Sequence, residues 1–335
     1  MSEPVPCATP AQRLRDLVKA RGCVAAPGAF SALCARAIAR AGFGACYVSG
    51  AATSVSAGVP DVGLLTLEHL ARVVREAGDA AGLPVIADAD TGFGEAEMVR
   101  RTVIEYARAG AAALHIEDQV FPKRCGHLDG KTLIPTEHMV EKVRWAARAA
   151  RDQAPAPAEP PAPIIVGART DARGVEGLQA ALDRAKAYAE AGAELLFPEG
   201  LTSPDEFARF ARELSASAPH VLLLANMTEF GKTPLIPLAS FAQMGYHVVI
   251  FPVSLLRVAM GAVTRALETL AADGSVAAFL DQMQTRAELY DLIGYTPGQP
   301  WAWPAGPGGH PAPAGGDRRR EPGAGPGVPS AGPRG

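Results

Sequence analysis

Cysteine and excess charge are both scarce in this sequence, and each shortage removes a class of protein. Its 335 residues hold five cysteines, Cys7, Cys23, Cys34, Cys46 and Cys125, an odd and scattered set that makes no disulfide framework and reads as reduced thiols. A net charge of −3 with mixed signs leaves no basic footprint for nucleic acid and no polybasic segment for a membrane surface. No apolar run approaches the roughly 20 residues of a membrane span. Residues 1–10 lack the charged-then-apolar pattern of a secretion signal, so a cytoplasmic location is expected. What remains is 48% apolar, enough to bury a large core, and points to small molecules and copies of the chain itself as partners.

What is present is a repeat. Residues 11–21 pattern as a short amphipathic helix, and eight short apolar runs follow at 23–26, 45–49, 84–88, 112–116, 164–168, 194–197, 221–225 and 247–251. Helical stretches at 67–81, 96–109, 136–151 and 178–191 alternate with them, as in a parallel α/β protein. Gly42, Gly110 and Gly192 stand where a helix must end in a left-handed cap before the next strand. Eight units predict an α/β fold of the (β/α)8 TIM-barrel type in one catalytic domain over 1–295; a doubly wound open sheet is the competing arrangement. The polar residues favour the barrel. Ser49, Asp88, Asp90, Glu117, Arg169, Glu199 and Asn226 lie at strand C-terminal ends, with Arg257 just past the eighth strand. A barrel gathers these ends at one mouth, whereas an open sheet spreads them. The long connections 50–66, 119–135 and 227–237 would rise around that mouth, and the Pro/Ala-rich excursion 152–163 falls on the opposite face. Two helices, 255–272 and 276–293, follow the last strand, one more than a plain barrel needs. The Pro/Gly-rich composition of 296–335 is that of a disordered tail.

Chemistry concentrates in a few stretches. Between Asp118 and Gly130, Cys125 sits among Lys123, Arg124 and His127, and nearby positive charge favours a thiolate. Gly126 and Gly130 would let that stretch turn, hinge or approach a ligand; a basic surface loop is the plainer alternative. Asp88 and Asp90 are two apart on a strand and would share a face, with Glu117 approaching from the next strand. Hard oxygen donors without His or Cys at ligand spacing suit Mg²⁺ or Mn²⁺. Cys125 and His127 are too close in sequence, and too alone, for a zinc site. Gly231-Lys232-Thr233 imitates the end of a phosphate loop but lacks its first glycine. Arg169, Arg257 and Arg286 are carboxylate-clamp candidates, Arg286 with a helix-surface role as its alternative. Ser49-Gly50-Ala51 offers a hydroxyl and backbone N–H groups to an anionic oxygen, and Asn226 with Thr228 could do the same.

Taken together, these motifs resemble the isocitrate lyase and phosphoenolpyruvate mutase superfamily, over residues 27–295. The resemblance rests on Tyr47-Val-Ser49-Gly50, Pro60-Asp61-Val-Gly63, Asp88-Ala-Asp90-Thr-Gly-Phe-Gly94, His115-Ile-Glu117-Asp118-Gln119, Lys123-Arg-Cys125-Gly-His127, Ala168-Arg169-Thr170-Asp171, Phe197-Pro198-Glu199, Ala225-Asn226-Met-Thr228 and Met283-Gln-Thr-Arg286, all in family order. It implies a Mg²⁺-dependent lyase that cleaves 2-methylisocitrate to pyruvate and succinate, the methylcitrate-cycle step of propionate catabolism. Isocitrate, 2,3-dimethylmalate and oxaloacetate are the alternative substrates, and a dicarboxylate-binding barrel without turnover is the non-enzyme alternative. By the same resemblance Asp88 and Asp90 hold the metal, with Asp61 and Glu117 in its outer shell. Ser49, Gly50, Ala51, Cys125, Gly126, Arg169, Glu199, Asn226, Thr228, Arg257 and Arg286 would contact the substrate. Cys125 would protonate the leaving carbanion, Tyr47 would act as base toward the hydroxyl, and Lys123 and His127 would assist. The loop carrying the cysteine would close over bound ligand. Phe197, where isocitrate lyases typically place Trp, would with Ile250 leave room for the extra methyl, whereas Leu128 stands where many methylisocitrate lyases have Arg. The resemblance also implies a homotetramer in which the last barrel helix crosses to a neighbouring subunit.

Overall fold

The computed structural model describes residues 8–126, 130–153 and 163–302. Eight parallel strands follow the expected runs closely: β1 Val24–Pro27, β2 Cys46–Val48, β3 Val85–Asp88, β4 Ala111–Glu117, β5 Ile165–Thr170, β6 Leu195–Pro198, β7 Leu222–Asn226 and β8 Val248–Phe251. They are ordered β1-β8-β7-β6-β5-β4-β3-β2, and a single parallel bridge from Gly28 to Tyr47 joins β1 to β2 and closes the barrel. The open-sheet alternative is excluded by that closure.

The helices are α1 Pro10–Arg21, α2 Ala32–Arg40, α3 Gly50–Ser56, α4 Leu67–Ala81, α5 Ala96–Arg108, α6 Thr136–Asp152, α7 Leu178–Glu190, α8 Pro204–Ser217, α9 Leu238–Met244, α10 Ser254–Asp273 and α11 Arg286–Ile293. Local signals explain their ends. The Thr66 hydroxyl accepts from the His69 N–H to start α4, and Gly82 stops it in a left-handed cap. Gly42, Gly110 and Gly192 all have positive φ, as the helix-to-strand joints require.

Strand alternation sorts the apolar residues into two cores. Val24, Ala26, Ile86, Ala113, Ile165, Leu195, Leu224 and Val248 fill the barrel, and Ala11, Leu14 and Val18 of α1 plug its lower end. Val48, Ala87, Leu114, Val166, Leu196 and Val249 face outward onto the helices. Burying Leu14 completely contributes roughly 1.5–3 kcal/mol, which is why so short a helix stays docked.

Three expectations need correction. The connection 50–66 is not all loop, because Ser49 caps the two-turn α3 by accepting from the Ala52 N–H at 3.2 Å. The helix expected over 276–293 divides into a 3-10 helix, Ala277–Gln282, and α11, because the reciprocal Thr285–Glu288 capping box begins a new helix. Residues 296–302 still follow α11, with the Trp301 indole donating to the Ile293 carbonyl at 3.1 Å. The rest of the expected tail, and most of the Pro/Ala excursion, lie outside the described residues. Among the described residues no helix is long and apolar enough to cross a membrane.

Candidate active site

The C-terminal ends of the strands enclose a cavity of about 50 Å³. It is lined by Tyr47, Ser49, Ala51, Asp61, Asp88, Cys125, Gly126, Arg169, Phe197, Glu199, Asn226, Thr228 and Ile250, among others. A wider cavity of about 580 Å³ lies at the opposite end of the barrel around Arg15, Glu194 and His247, away from this convergence.

Asp88 closes β3 and Asp90 lies just beyond it. They do converge, but not as neighbours on one pleated face. Asp90 adopts a left-handed φ of 46° in the turn after the strand, and its N–H donates to Asp88 Oδ1 at 3.0 Å. The Gly50 N–H donates to Asp88 Oδ2 at 3.1 Å, and a Cβ on Gly50 would stand 2.9 Å from that oxygen. Only glycine lets α3 begin so near the acids. Burial pushes the Asp88 carboxyl up, but His115, Lys123, Arg169 and the Asp90 N–H outweigh it and hold the group below its ordinary range. Burial and the charge of Asp88 raise the Asp90 carboxyl to about 6, against the pull of Lys123.

The Lys123 ammonium is buried among these acids, 2.8 Å from Asp90 Oδ1 and closer still to Asp61 Oδ1. Burial would depress it, yet Glu117, Asp90, Asp88 and Asp61 raise it above the ordinary lysine range, so it remains a cation. Its ammonium is turned toward the carboxylates. Glu117, at the end of β4, is almost fully buried, and burial raises its carboxyl well above the ordinary range. Neither of its oxygens is in hydrogen-bonding geometry with a donor, although Arg169 Nη1 stands 3.1 Å from Oε2.

These observations test the fit of a divalent cation. Buried carboxylate oxygens without donors are rare and call for a cation or water. The acids Asp88, Asp90, Asp61 and Glu117 surround one corner of the mouth, with only oxygen donors. Among the described residues no three His, Cys, Asp or Glu side chains form a ready-made metal cage. The pair Asp88 and Asp90, with oxygen donors only, suits Mg²⁺, which binds through one or two carboxylates and keeps several waters.

The adjoining wall carries Arg169, Glu199, Asn226 and Tyr47. Arg169, at the end of β5, is forked by Asp171 through Nε–Oδ2 at 2.9 Å and Nη2–Oδ1 at 3.0 Å, and its guanidinium lies 5.3 Å from the Phe197 ring centre. Glu199 accepts from the Gly200 N–H at 2.8 Å and from Asn226 Nδ2 at 3.0 Å, which orients both side chains at the cavity. Tyr47 Oη is 2.9 Å from His115 Nε2. Burial and the charge of Asp88 hold the phenol well above its ordinary value, and His115 is its hydrogen-bond partner.

The thiol segment lies on this wall. A Cβ on Gly126 would come within 2.3 Å of Arg169 Nη2, so the backbone rests directly on the guanidinium. The Gln119 amide brackets the Arg124 main chain, accepting from its N–H at 3.0 Å and donating to its carbonyl at 2.9 Å. Cys125 is half-buried at the cavity edge, and none of the described cysteines is in a disulfide. His127 lies outside the described residues.

Two residues expected to contact substrate do not line the cavity. Arg286 is exposed at the start of α11 and does not line the cavity. Arg257 donates to the Thr228 hydroxyl at 3.3 Å and to Glu229 Oε2 at 2.7 Å, so it reaches the cavity through Thr228.

Residues 14–271 match the phosphoenolpyruvate phosphomutase family. The chain belongs to that family. It is 49% identical over 290 residues to 2-methylisocitrate lyase of Aeropyrum pernix, covering 87% of this chain and 89% of that one. It is 44% identical over 285 residues to 2-methylisocitrate lyase of Bacillus subtilis, covering 85% and 89%. Among solved structures, 2,3-dimethylmalate lyase, a PEP mutase/isocitrate lyase superfamily member, superposes with a TM-score of 0.78 at 38% identity, covering 86% of this chain and 93% of that one. Phosphonopyruvate hydrolase in complex with oxalate and Mg²⁺ superposes with a TM-score of 0.73 at 29% identity, covering 85% and 95%. Within this phosphomutase-family barrel, sequence reasoning missed the pairing of His115 with Tyr47 and the roles of Gln119, Lys131 and Asp171. His115, Gln119 and Asp171 lie within recognised motifs, a signal that could have found them. Lys131 carries none, since its partners are set by the path of the loop.

Proposed function

We propose that the protein is a metal-dependent carbon–carbon lyase that cleaves 2-methylisocitrate to pyruvate and succinate. The observation that carries this reading is the meeting, in one cavity, of Cys125 with the acid corner on one side and Arg169 and Glu199 on the other. Asp88 and Asp90 would hold Mg²⁺, or Mn²⁺, with Asp61 and Glu117 behind them. Once bound, the ion would supply positive charge to the substrate oxygens as the carbon–carbon bond breaks.

This chain's own groups account for the remaining demands. Arg169, kept in place by Asp171, offers a guanidinium to a substrate carboxylate. The substrate's hydroxyl proton would pass to a base, the role the resemblance gives to Tyr47 at the cavity wall, so that a carbonyl forms and the breaking bond leaves its electron pair on the succinate fragment as an aci-carboxylate. The Cys125 thiol is the donor that returns a proton to that carbon. Gly126, packed on Arg169, helps exclude water that would otherwise quench the carbanion. Phe197 and Ile250 give the cavity an apolar wall suited to a methyl group.

The protein is read as a cytoplasmic homotetramer that exchanges its last barrel helix. Support comes from α10, which buries only Leu256 and exposes Val258, Met260, Val263, Leu267 and Leu270. An apolar groove of about 490 Å³, lined by Pro27, Ile38, Phe43, Leu238 and Phe251, lies where an eighth barrel helix would pack. We read that groove as the seat of the α10 of a second copy.

Product analysis with 2-methylisocitrate, isocitrate, 2,3-dimethylmalate and oxaloacetate, each with Mg²⁺ and with EDTA, tests the reading. Pyruvate and succinate should form from the first substrate fastest, and only with metal. Cys125→Ser should lower turnover about 10²–10⁴-fold, the range of general acid catalysis, while oxalate binding persists. Faster cleavage of dimethylmalate or oxaloacetate, or full activity of Cys125→Ser, would overturn it.

A further inference from the structure

Lys131 is a buried cation outside the acid corner. Its side chain is only 4% exposed, and its ammonium donates to the Gly126 carbonyl and, at 2.8 Å, to Asp171 Oδ1. Neither acceptor is incidental. Asp171 is fully buried and fixed to the frame, its N–H donating to Asp118 Oδ1 at 2.9 Å. The same Oδ1 that meets Lys131 also receives Arg169 Nη2 at 3.0 Å. Gly126 is the residue whose backbone rests on that guanidinium.

We propose that Lys131 is a positioning residue whose ammonium clamps the Cys125–Gly126 segment onto the Asp171–Arg169 pair. An ammonium has three donors and no acceptor, so it can bridge a carbonyl and a carboxylate at once, as an apolar or acidic side chain could not. The other anchors of the segment act elsewhere: Gln119 holds Arg124, and Lys123 reaches Asp61 and Asp90. Lys131 alone among these three links holds the residue that follows the thiol. Asp171 keeps its fork on Arg169 without Lys131, so removing the ammonium frees the segment while leaving the guanidinium in place. The thiol's position over the substrate thus depends on the same carboxylate that orients Arg169.

The inference rests on Cys125 acting as proton donor, but its test is separable from turnover. Full-length wild type, Lys131→Met and Lys131→Arg are treated with iodoacetamide, and modification of Cys125 is followed by peptide mass spectrometry. Lys131→Met should react at least tenfold faster at Cys125, with Cys23 and Cys46 unchanged because they are buried. Lys131→Arg keeps the charge and the donors and should stay within about threefold of wild type. With substrate, Lys131→Met should lose about 10–100-fold in kcat, the factor set by one hydrogen bond to a charged group, with a smaller change in KM. Equal alkylation rates in wild type and folded Lys131→Met would overturn the proposal. If Lys131→Met does not hold its fold by circular dichroism, Lys131→Gln is judged by the same criterion. A wild type that cleaves none of the four acids while its alkylation rate still depends on Lys131 would sink the functional reading and leave the clamp standing.

Discussion

His115 shows how one side chain depends on contacts that its sequence neighbours do not reveal. It is fully buried between Tyr47, 2.9 Å away at Nε2, and the edge of Phe197, with Nδ1 3.9 Å from Asp88 Oδ1. Desolvation lowers its imidazole to about 4; Asp88 opposes the shift while Arg169 and Lys123 add to it. The native imidazole therefore refuses a proton that the unfolded one takes up below about 6.5. Its contribution to stability is complete above about 6.5 and is lost as the pH falls toward 4. His115→Asn, which cannot titrate, should flatten the acid limb of urea unfolding, measured in EDTA, by roughly 2–3 kcal/mol between these limits. Parallel wild-type and mutant curves would contradict this. The acids Asp88 and Asp90, Cys125 and Arg169 were legible from their places at strand ends or in the glycine-bounded loop. His115 was not, because its meaning lies in a contact between two strands.

At the scale of elements, the segment 123–126 is held from three directions, by Asp61 and Asp90 through Lys123, by Gln119 through Arg124, and by Lys131 through Gly126. Glycine at 126 is a matter of space, since its φ is not in the left-handed region. Gly126→Ala would put a methyl group 2.3 Å from Arg169 Nη2 and within 2.5 Å of Glu199 Cγ, so the segment must lift. Turnover should fall about 10²-fold, as expected for a displacement near 1 Å, with an unchanged melting temperature; unaltered kcat would show that the segment has room. Periodicity located the elements because most strands and helices are long enough to show it. It missed α3, a two-turn helix that depends on Ser49 as cap, and the break before Thr285, which a capping box decides within an apolar pattern.

The whole molecule has one conspicuous asymmetry. Most of the strand-linking helices bury an apolar stripe on the barrel, yet α10 buries Leu256 alone and leaves Leu267 58% and Val258 73% exposed. An apolar helix face beside an apolar groove calls for a partner. Leu267→Glu should therefore yield a smaller species than wild type by light scattering at micromolar concentration. A monomeric wild type, or a mutant of unchanged mass, would refute helix exchange. Arg286, exposed in the isolated chain, follows α10 in sequence.

The sequence by itself determined the eightfold alternation, the strand ends on which function sits, and the residue types available there, because side-chain periodicity and turn chemistry are local properties. Tertiary structure alone decided how those residues are used. It turned Lys123 toward the acids, stood Gly126 on Arg169, and recruited Lys131 to the Asp171 carboxylate. Charges are assigned partners by distance and burial, and neither quantity exists until the barrel has closed.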